Sequence, residues 1–379
     1  MSGRDHVLRL LSSSKLMVAV GSGGVGKTTT AAALAIAGAR LGKKTAVLTI
    51  DPARRLAQAL GVDKMGNAPR ALSADLVSPG SCDAMMLEAG EALDDFVKRL
   101  VPDEARRTRL FSNRLYQIIA RQLGGTHEYM AVERLHALVE ESGYDLVVLD
   151  TPPTVNALDF LDAPNRLTSF FSDRVIRFFV KQTDEQKKGL FQRLKDRAGD
   201  LALQVLGKAL GEGFVEELSD FATAFQGLFT AIHDRAAAAE RILRAPSTAF
   251  FVVSAADPVR TAEAQEFIAT LERLGIRPQA LVANRVHLPF HGDADIDAGG
   301  VAEAIGSLAL SVDPLATFSA LDRAQRLQRS LRARDRRGLE QLRRLLGGDR
   351  VLVVPELVEE VQDRAAVEHL LASLGLERL

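Results

Sequence analysis

The stretch Val18-Ala19-Val20-Gly21-Ser22-Gly23-Gly24-Val25-Gly26-Lys27-Thr28-Thr29-Thr30 decides how this chain is read. An apolar run with the character of a strand leads into it, and an alanine-rich run with the character of a helix leaves it. From Gly21 to Thr28 the residues match G-x-x-x-x-G-K-[ST] in full, the pattern of a phosphate-binding loop. Glycines let the backbone wrap a phosphate, its N–H groups point inward, and the positive end of the following helix favours the anion. In such a loop Lys27 reaches the β- and γ-phosphates, and Thr28 puts its hydroxyl on Mg²⁺. The expected nucleotide-binding residues are therefore Gly21, Ser22, Gly23, Gly24, Val25, Gly26, Lys27, Thr28 and Thr29. A chance glycine-rich turn, the competing reading, gives no reason for the strand before it and the helix after it.

Outward from the loop, short apolar runs alternate with longer helical patterns. Residues 16–20, 46–50, 146–150, 249–253, 280–284 and 351–354 are rich in β-branched residues and do not alternate with polar ones, as expected of parallel strands covered on both faces. Residues 28–41, 259–274 and 365–374 have helical spacing. The alternation predicts an α/β fold, a mostly parallel sheet with helices on both faces. Ligands of such sheets bind at the carboxyl ends of the strands, which is where the phosphate loop, Asp51, Asp150 and Asn284 fall. Two helical regions, about 90–141 and 161–244, interrupt the pattern and are expected to form one lobe inserted into a single domain spanning 1–379. Ten of the chain's 17 phenylalanines lie between Phe160 and Phe229, and Phe221, Phe225 and Phe229 share one helical face. That face suits either a buried core or a groove for an apolar client.

Three strand ends carry polar residues with chemical uses. Asp51 follows Val47-Leu48-Thr49-Ile50 and precedes Pro52; it suits a group that orients or deprotonates a water attacking the γ-phosphate, and it also suits a helix cap. Asp150 ends Leu146-Val147-Val148-Leu149 and precedes Thr151-Pro152-Pro153; four apolar residues and then an acid form the pattern that holds Mg²⁺ through water. Asn284, in Val282-Ala283-Asn284-Arg285, is placed either to read an adenine edge or to cap a turn. Thus Asp51 and Lys27 are the expected catalytic residues, and Thr28 and Asp150 the expected metal holders. The arginine-rich segment 322–344 fits an acidic lipid or partner surface, or a solvated helix whose Leu327, Leu331, Leu339 and Leu342 face the core. His127-Glu128-Tyr129, after Gly124-Gly125, reads as a helix start, since no second histidine lies at metal-ligand spacing.

Bulk properties narrow the class. The 379 residues are 47% hydrophobic and 26% charged, ordinary for a globular protein, and the net charge of −1 argues against a general nucleic-acid binder. Cys82 is the single cysteine, which excludes an intrachain disulfide and a cysteine-rich zinc site within one chain. No apolar run of about 18 residues is present, and the apolar run after Lys15 enters the phosphate loop directly, unlike a signal peptide. A reducing cytoplasm is the expected compartment.

Together, Gly21 to Thr29, Thr-Ile-Asp-Pro-Ala at 49–53, Asp-Thr-Pro-Pro-Thr at 150–154, Val-Ala-Asn-Arg at 282–285 and Val-Val-Pro-Glu-Leu at 353–357 resemble the ArsA-type ATPases. That family of P-loop proteins includes arsenite-pump ATPases and targeting ATPases for tail-anchored membrane proteins. The resemblance covers nearly the whole chain and is closest to a bacterial branch. It implies ATP and Mg²⁺ as ligands, Asp51 as the water-activating residue, and Asn284 and Pro355 as adenine contacts. It further implies a dimer around two ATP molecules and helical lobes that hold a client. The implied partners are a second copy or a related ATPase subunit, and a membrane-protein client or membrane partner, without nucleic acid. Three departures stand out. Ser22 occupies the place of a signature lysine that reaches the partner's phosphates in the family. Cys82 cannot supply the three thiolates of an arsenite site. No Cys-x-x-Cys zinc clasp or methionine-rich groove is present. The expected function is Mg²⁺-dependent ATP hydrolysis coupled to targeting or transport of a hydrophobic or anionic client. Its alternatives are an ATPase subunit of an arsenite or anion efflux pump, and a weakly hydrolysing regulatory subunit.

Overall fold

The structure is a computed structural model; it describes residues 3–51, 55–63, 65–88, 94, 97–99, 101, 103–113, 116–117, 126–152, 234–235, 237–288, 295–356 and 364–377. Eight strands form one sheet: β1 (Leu16–Val20), β2 (Lys44–Thr49), β3 (Arg70–Ala71), β4 (Ser81–Met86), β5 (Leu146–Asp150), β6 (Thr248–Ala255), β7 (Ala280–Val286) and β8 (Val351–Pro355). Their order across the sheet is β3-β4-β2-β5-β1-β6-β7-β8, with every pairing parallel except that of the short edge strand β3 on β4. All six strands expected from the sequence are present. β4 was not expected, because Ser81, Asp83 and two methionines break the β-branched pattern that marks the others.

Strand geometry divides the apolar side chains between two cores, since successive residues point to opposite faces. Val18, Val20, Leu48, Leu149, Phe250 and Leu281 enter one core. Met17, Ala19, Val47, Val148, Phe251 and Val282 enter the other. Helices cover both faces: α1 (Gly3–Ser13), α2 (Lys27–Arg40), α3 (Arg55–Leu60), α4 (Ala74–Val77), α5 (Glu104–Ser112), α6 (Thr126–His136), α7 (Pro258–Arg273), α8 (Ala298–Ser307), α9 (Pro314–Leu346) and α10 (Arg364–Ser373). α2 is buried from Thr30 to Ala39 on every side. Its run of alanines serves that position twice: alanine has the highest helix propensity, and its small side chain admits close packing against β1, β2, β5 and α10. Leu34 and Ile36 fill the remaining space, each stabilising the fold by roughly 1.5–3 kcal/mol.

Helix α9 corrects one expectation. Leu339 and Leu342 are buried as foreseen, but Leu327 is 62% exposed, so only the C-terminal part of this helix packs on the sheet. There Gly338 lies so close to the β6–α7 turn that a Cβ would overlap the Ala256 carbonyl oxygen. Of the expected lobe, most of the described residues of 90–141 are helical, ending in a π-turn at Ala137–Glu141. Phe221, Phe225 and Phe229, and the side chains of His127, Glu128 and Tyr129, lie outside the described residues.

Candidate active site

The carboxyl edge of the sheet gathers the expected residues. Gly21–Gly26 leave the end of β1, Asp51 lies two residues beyond β2, Asp150 ends β5, Asn284 lies near the end of β7, and Pro355 ends β8. Gly21, Gly24 and Gly26 have positive φ, at 146°, 75° and 98°, a backbone that residues with a Cβ rarely adopt. At two of them space forbids a side chain as well: a Cβ on Gly21 would overlap the Val253 carbonyl oxygen of β6, and one on Gly26 would overlap the Asn284 amide nitrogen. The loop is thus held tightly against strands that lie more than 220 residues further along the chain.

Lys27 opens α2, is 6% exposed, and donates from Nζ to the Ser22 carbonyl oxygen at 2.8 Å. Burial lowers its pKa to about 8, against the opposing pull of Asp150 and Asp51; Arg55 and Arg260 lower it further. Two like charges beside a buried ammonium are unfavourable in the empty site. They become favourable when a polyanion enters.

Asp150 is fully buried. Its Oδ2 accepts from the hydroxyls of Thr28 and Thr49, each at 2.9 Å. Its Oδ1 is buried with no hydrogen-bond partner among the described residues. Burial pushes its pKa up to about 6, and the two threonine donors and Lys27 only partly offset this. A carboxylate with one unsatisfied buried oxygen, beside a threonine hydroxyl and a phosphate loop, is an oxygen donor set that fits Mg²⁺. Asp51 is 8% exposed, and Arg55 approaches its Oδ2 at 3.9 Å. The backbone N–H of Asp51 donates to the Thr49 hydroxyl at 3.2 Å. One threonine thereby ties both acids together. The polar interruption in Val47-Leu48-Thr49-Ile50 was the signal for it, but the sequence reading gave Thr49 no role.

Asn284 is drawn into the loop itself. Its amide donates to the Val25 carbonyl at 2.9 Å, and its Oδ1 accepts from the backbone of Arg285 at 3.0 Å. In this structure it buttresses the phosphate loop. Pro355 is half-buried on β8, three strands from β1, which is about 14 Å at the usual strand spacing. Arg54 lies outside the described residues, and Arg55 stands beside Asp51.

The anion-transporting ATPase family model matches residues 14–297, three quarters of the chain. This chain belongs to the anion-transporting ATPase family. Its relatives include the ATPase get3 of Aspergillus terreus, 26% identical over 278 residues that cover 72% of this chain and 73% of the relative. An arsenical pump-driving ATPase of Aquifex aeolicus is 25% identical over 271 residues, 70% of this chain and 78% of the relative. An ASNA1-homologous ATPase of Paramecium tetraurelia is 30% identical over 172 residues, and there the match spans about half of each chain. The matched region contains the phosphate loop, Asp51, Asp150 and Asn284, and stops short of Pro355. Among the described residues no helix is long and apolar enough to cross a membrane.

Proposed function

We propose that this chain hydrolyses ATP with Mg²⁺ and uses the cycle to change conformation for targeting or transport of a hydrophobic or anionic client. The observation that carries this reading is Asp150: fully buried, bound to Thr28, with one oxygen unsatisfied beside the phosphate loop. Such a carboxylate destabilises the empty chain and gains a partner when a cation arrives. Thr28 and Asp150 would hold Mg²⁺, which would supply positive charge against the phosphate oxygens. Lys27 leaves the Ser22 carbonyl for the β- and γ-phosphates. Asp51 orients or deprotonates the attacking water. Gly21–Thr29 wrap the phosphates, with Asn284 and Pro355 on the adenine side. The working unit is a dimer of this chain or a pairing with a related ATPase subunit, in the cytoplasm, acting on a membrane-protein client.

Lys27→Ala tests the phosphate assignment. ATP affinity should fall about 10- to 100-fold, the cost of losing hydrogen bonds from a charged donor. Unchanged binding and unchanged hydrolysis would remove it. A pump-driving role has support in the Aquifex relative, but the single Cys82 is buried and its thiol is pushed up to about 12 by that burial, a poor metalloid ligand. The reading as a weakly hydrolysing regulatory subunit rests on Ser22, whose hydroxyl brings no charge. Turnover of the purified chain, alone and with a related subunit, separates the two. A rate of roughly 1 s⁻¹ or more without a partner identifies a self-sufficient enzyme.

A further inference from the structure

The β6–α7 connection lies on the side of β1 opposite to Asp51 and Asp150, because β6 pairs with one edge of β1 and β5 with the other. Its geometry is over-determined. Asp257 caps α7, accepting from the N–H groups of Val259 and Arg260 at 3.1 Å each, and Pro258 fills the first turn. The hydroxyl of buried Ser254 donates to the Arg260 carbonyl at 3.0 Å. Gly338 of α9 presses on the same turn at Ala256. Arg260 is therefore carried by a rigid backbone.

From there its side chain joins a cluster of charged and polar groups beside the phosphate loop. The guanidinium of Arg260 meets Glu263 at 2.8 Å. Arg260 first, and Ser22 after it, hold the Glu263 carboxyl below its usual range. The carbonyl of Ser22 holds Lys27 Nζ at 2.8 Å. Lys27 is the residue that serves the β- and γ-phosphates in loops of this pattern, so Ser22 marks the terminal-phosphate end of the site. Arg260 stands one residue beyond it, 37% exposed at its side chain, and its charge is felt at Lys27.

We propose that Arg260 is a second cation of the phosphate site, held beside Ser22 by Glu263 and transferred to the γ-phosphate when ATP binds. This deepens the ATPase reading and rests on it. The physical ground is placement together with need. The loop from Gly21 to Gly26 holds no cation of its own, and a triphosphate brings more negative charge than Lys27 neutralises. A planar guanidinium is suited to phosphate oxygens. It is pre-positioned by a capped helix rather than by a mobile loop. Exchanging Glu263 for a phosphate oxygen keeps it paired throughout. Because ADP lacks the γ-phosphate, Arg260 separates ATP from ADP.

The test is the ratio of ATP to ADP affinity, measured by titration with fluorescent analogues of both nucleotides in Mg²⁺ buffer, with single-turnover hydrolysis in parallel. Arg260→Ala should weaken ATP about 10- to 100-fold and leave ADP within about twofold, with Arg260→Lys recovering part of the ratio. Arg273→Ala, at the far end of the same helix, should change neither. The ratio does not depend on the folded fraction, so a variant that folds poorly still gives an answer, and Arg260→Gln, which keeps the polar stem, repeats the measurement. A wild-type ratio and wild-type hydrolysis in Arg260→Ala and Arg260→Gln overturn the proposal. If Lys27→Ala loses ATP while Arg260→Ala does not, only this inference fails. If Lys27→Ala binds ATP normally, the phosphate-site reading itself fails.

Discussion

The two flanks of the phosphate loop are made of different material. On one side β5 and β2 deliver acids, Asp150 and Asp51, linked through Thr49 and Thr28. On the other side β6 delivers a capped helix whose Arg260 and Glu263 lean on Ser22. The acidic flank is buried and under-satisfied; the basic flank is half-exposed and joined by an ion pair. The difference teaches which part of the site awaits which ligand. A buried carboxylate with a bare oxygen suits a cation, and a solvent-facing guanidinium on a salt bridge is ready to exchange one anion for another.

The acidic flank breaks most severely at Asp51. Asp51→Asn should keep ATP bound but slow hydrolysis by about 10²-fold or more, the typical contribution of a positioned base. Normal turnover in that variant would reduce Asp51 to a structural residue paired with Arg55. The contrast with Arg260, whose loss should act on nucleotide preference, makes the two flanks separable by KM against kcat.

A smaller effect sharpens the account of Asp150. Burial raises its pKa from 3.8 to about 6. Between about pH 4 and 6 the folded chain therefore keeps a proton that the unfolded chain releases. This group's contribution to stability is lost as the pH rises through that window. Asp150→Asn removes the loss. Without nucleotide, the variant's unfolding free energy relative to wild type should grow by about 1–3 kcal/mol between pH 4.5 and 7.5, measured by urea denaturation. A difference that shrinks with pH would show that the carboxylate is stabilised in the empty chain.

The smallest expected effect lies away from both flanks. Cys82 is buried, with its thiol pushed up to about 12. Arsenite or antimonite should not stimulate ATP turnover, and Cys82→Ser should behave as wild type. Stimulation that disappears in Cys82→Ser would move metal chemistry into the core of the sheet.

Much of this is legible in the sequence. A strand followed by G-x-x-x-x-G-K-T and an alanine-rich helix is a local pattern, and so is an apolar run ending in aspartate. Each needs only neighbouring residues, because a strand end at the carboxyl edge puts its last side chain at the site whatever the rest of the chain does. β4 escaped because its residues lack the β-branched signature; its place beside β2 is set by pairing with a covered neighbour. The role of α9 was half legible: its leucine spacing marked a helix but not which turns meet the sheet, and Leu327 shows that periodicity alone does not assign a core.

The sequence by itself determined the α/β class, the phosphate loop and the two acids, because short-range stereochemistry and hydrophobic periodicity suffice for them. Only the tertiary structure decided that Asn284 props the loop, that Thr49 joins Asp51 to Asp150, and that Arg260 and Glu263 reach Ser22. These contacts join residues up to about 260 positions apart in the chain. No local propensity encodes such a meeting. It exists because the strand order sets β6 and β7 on one side of β1, with β5 and β2 on the other.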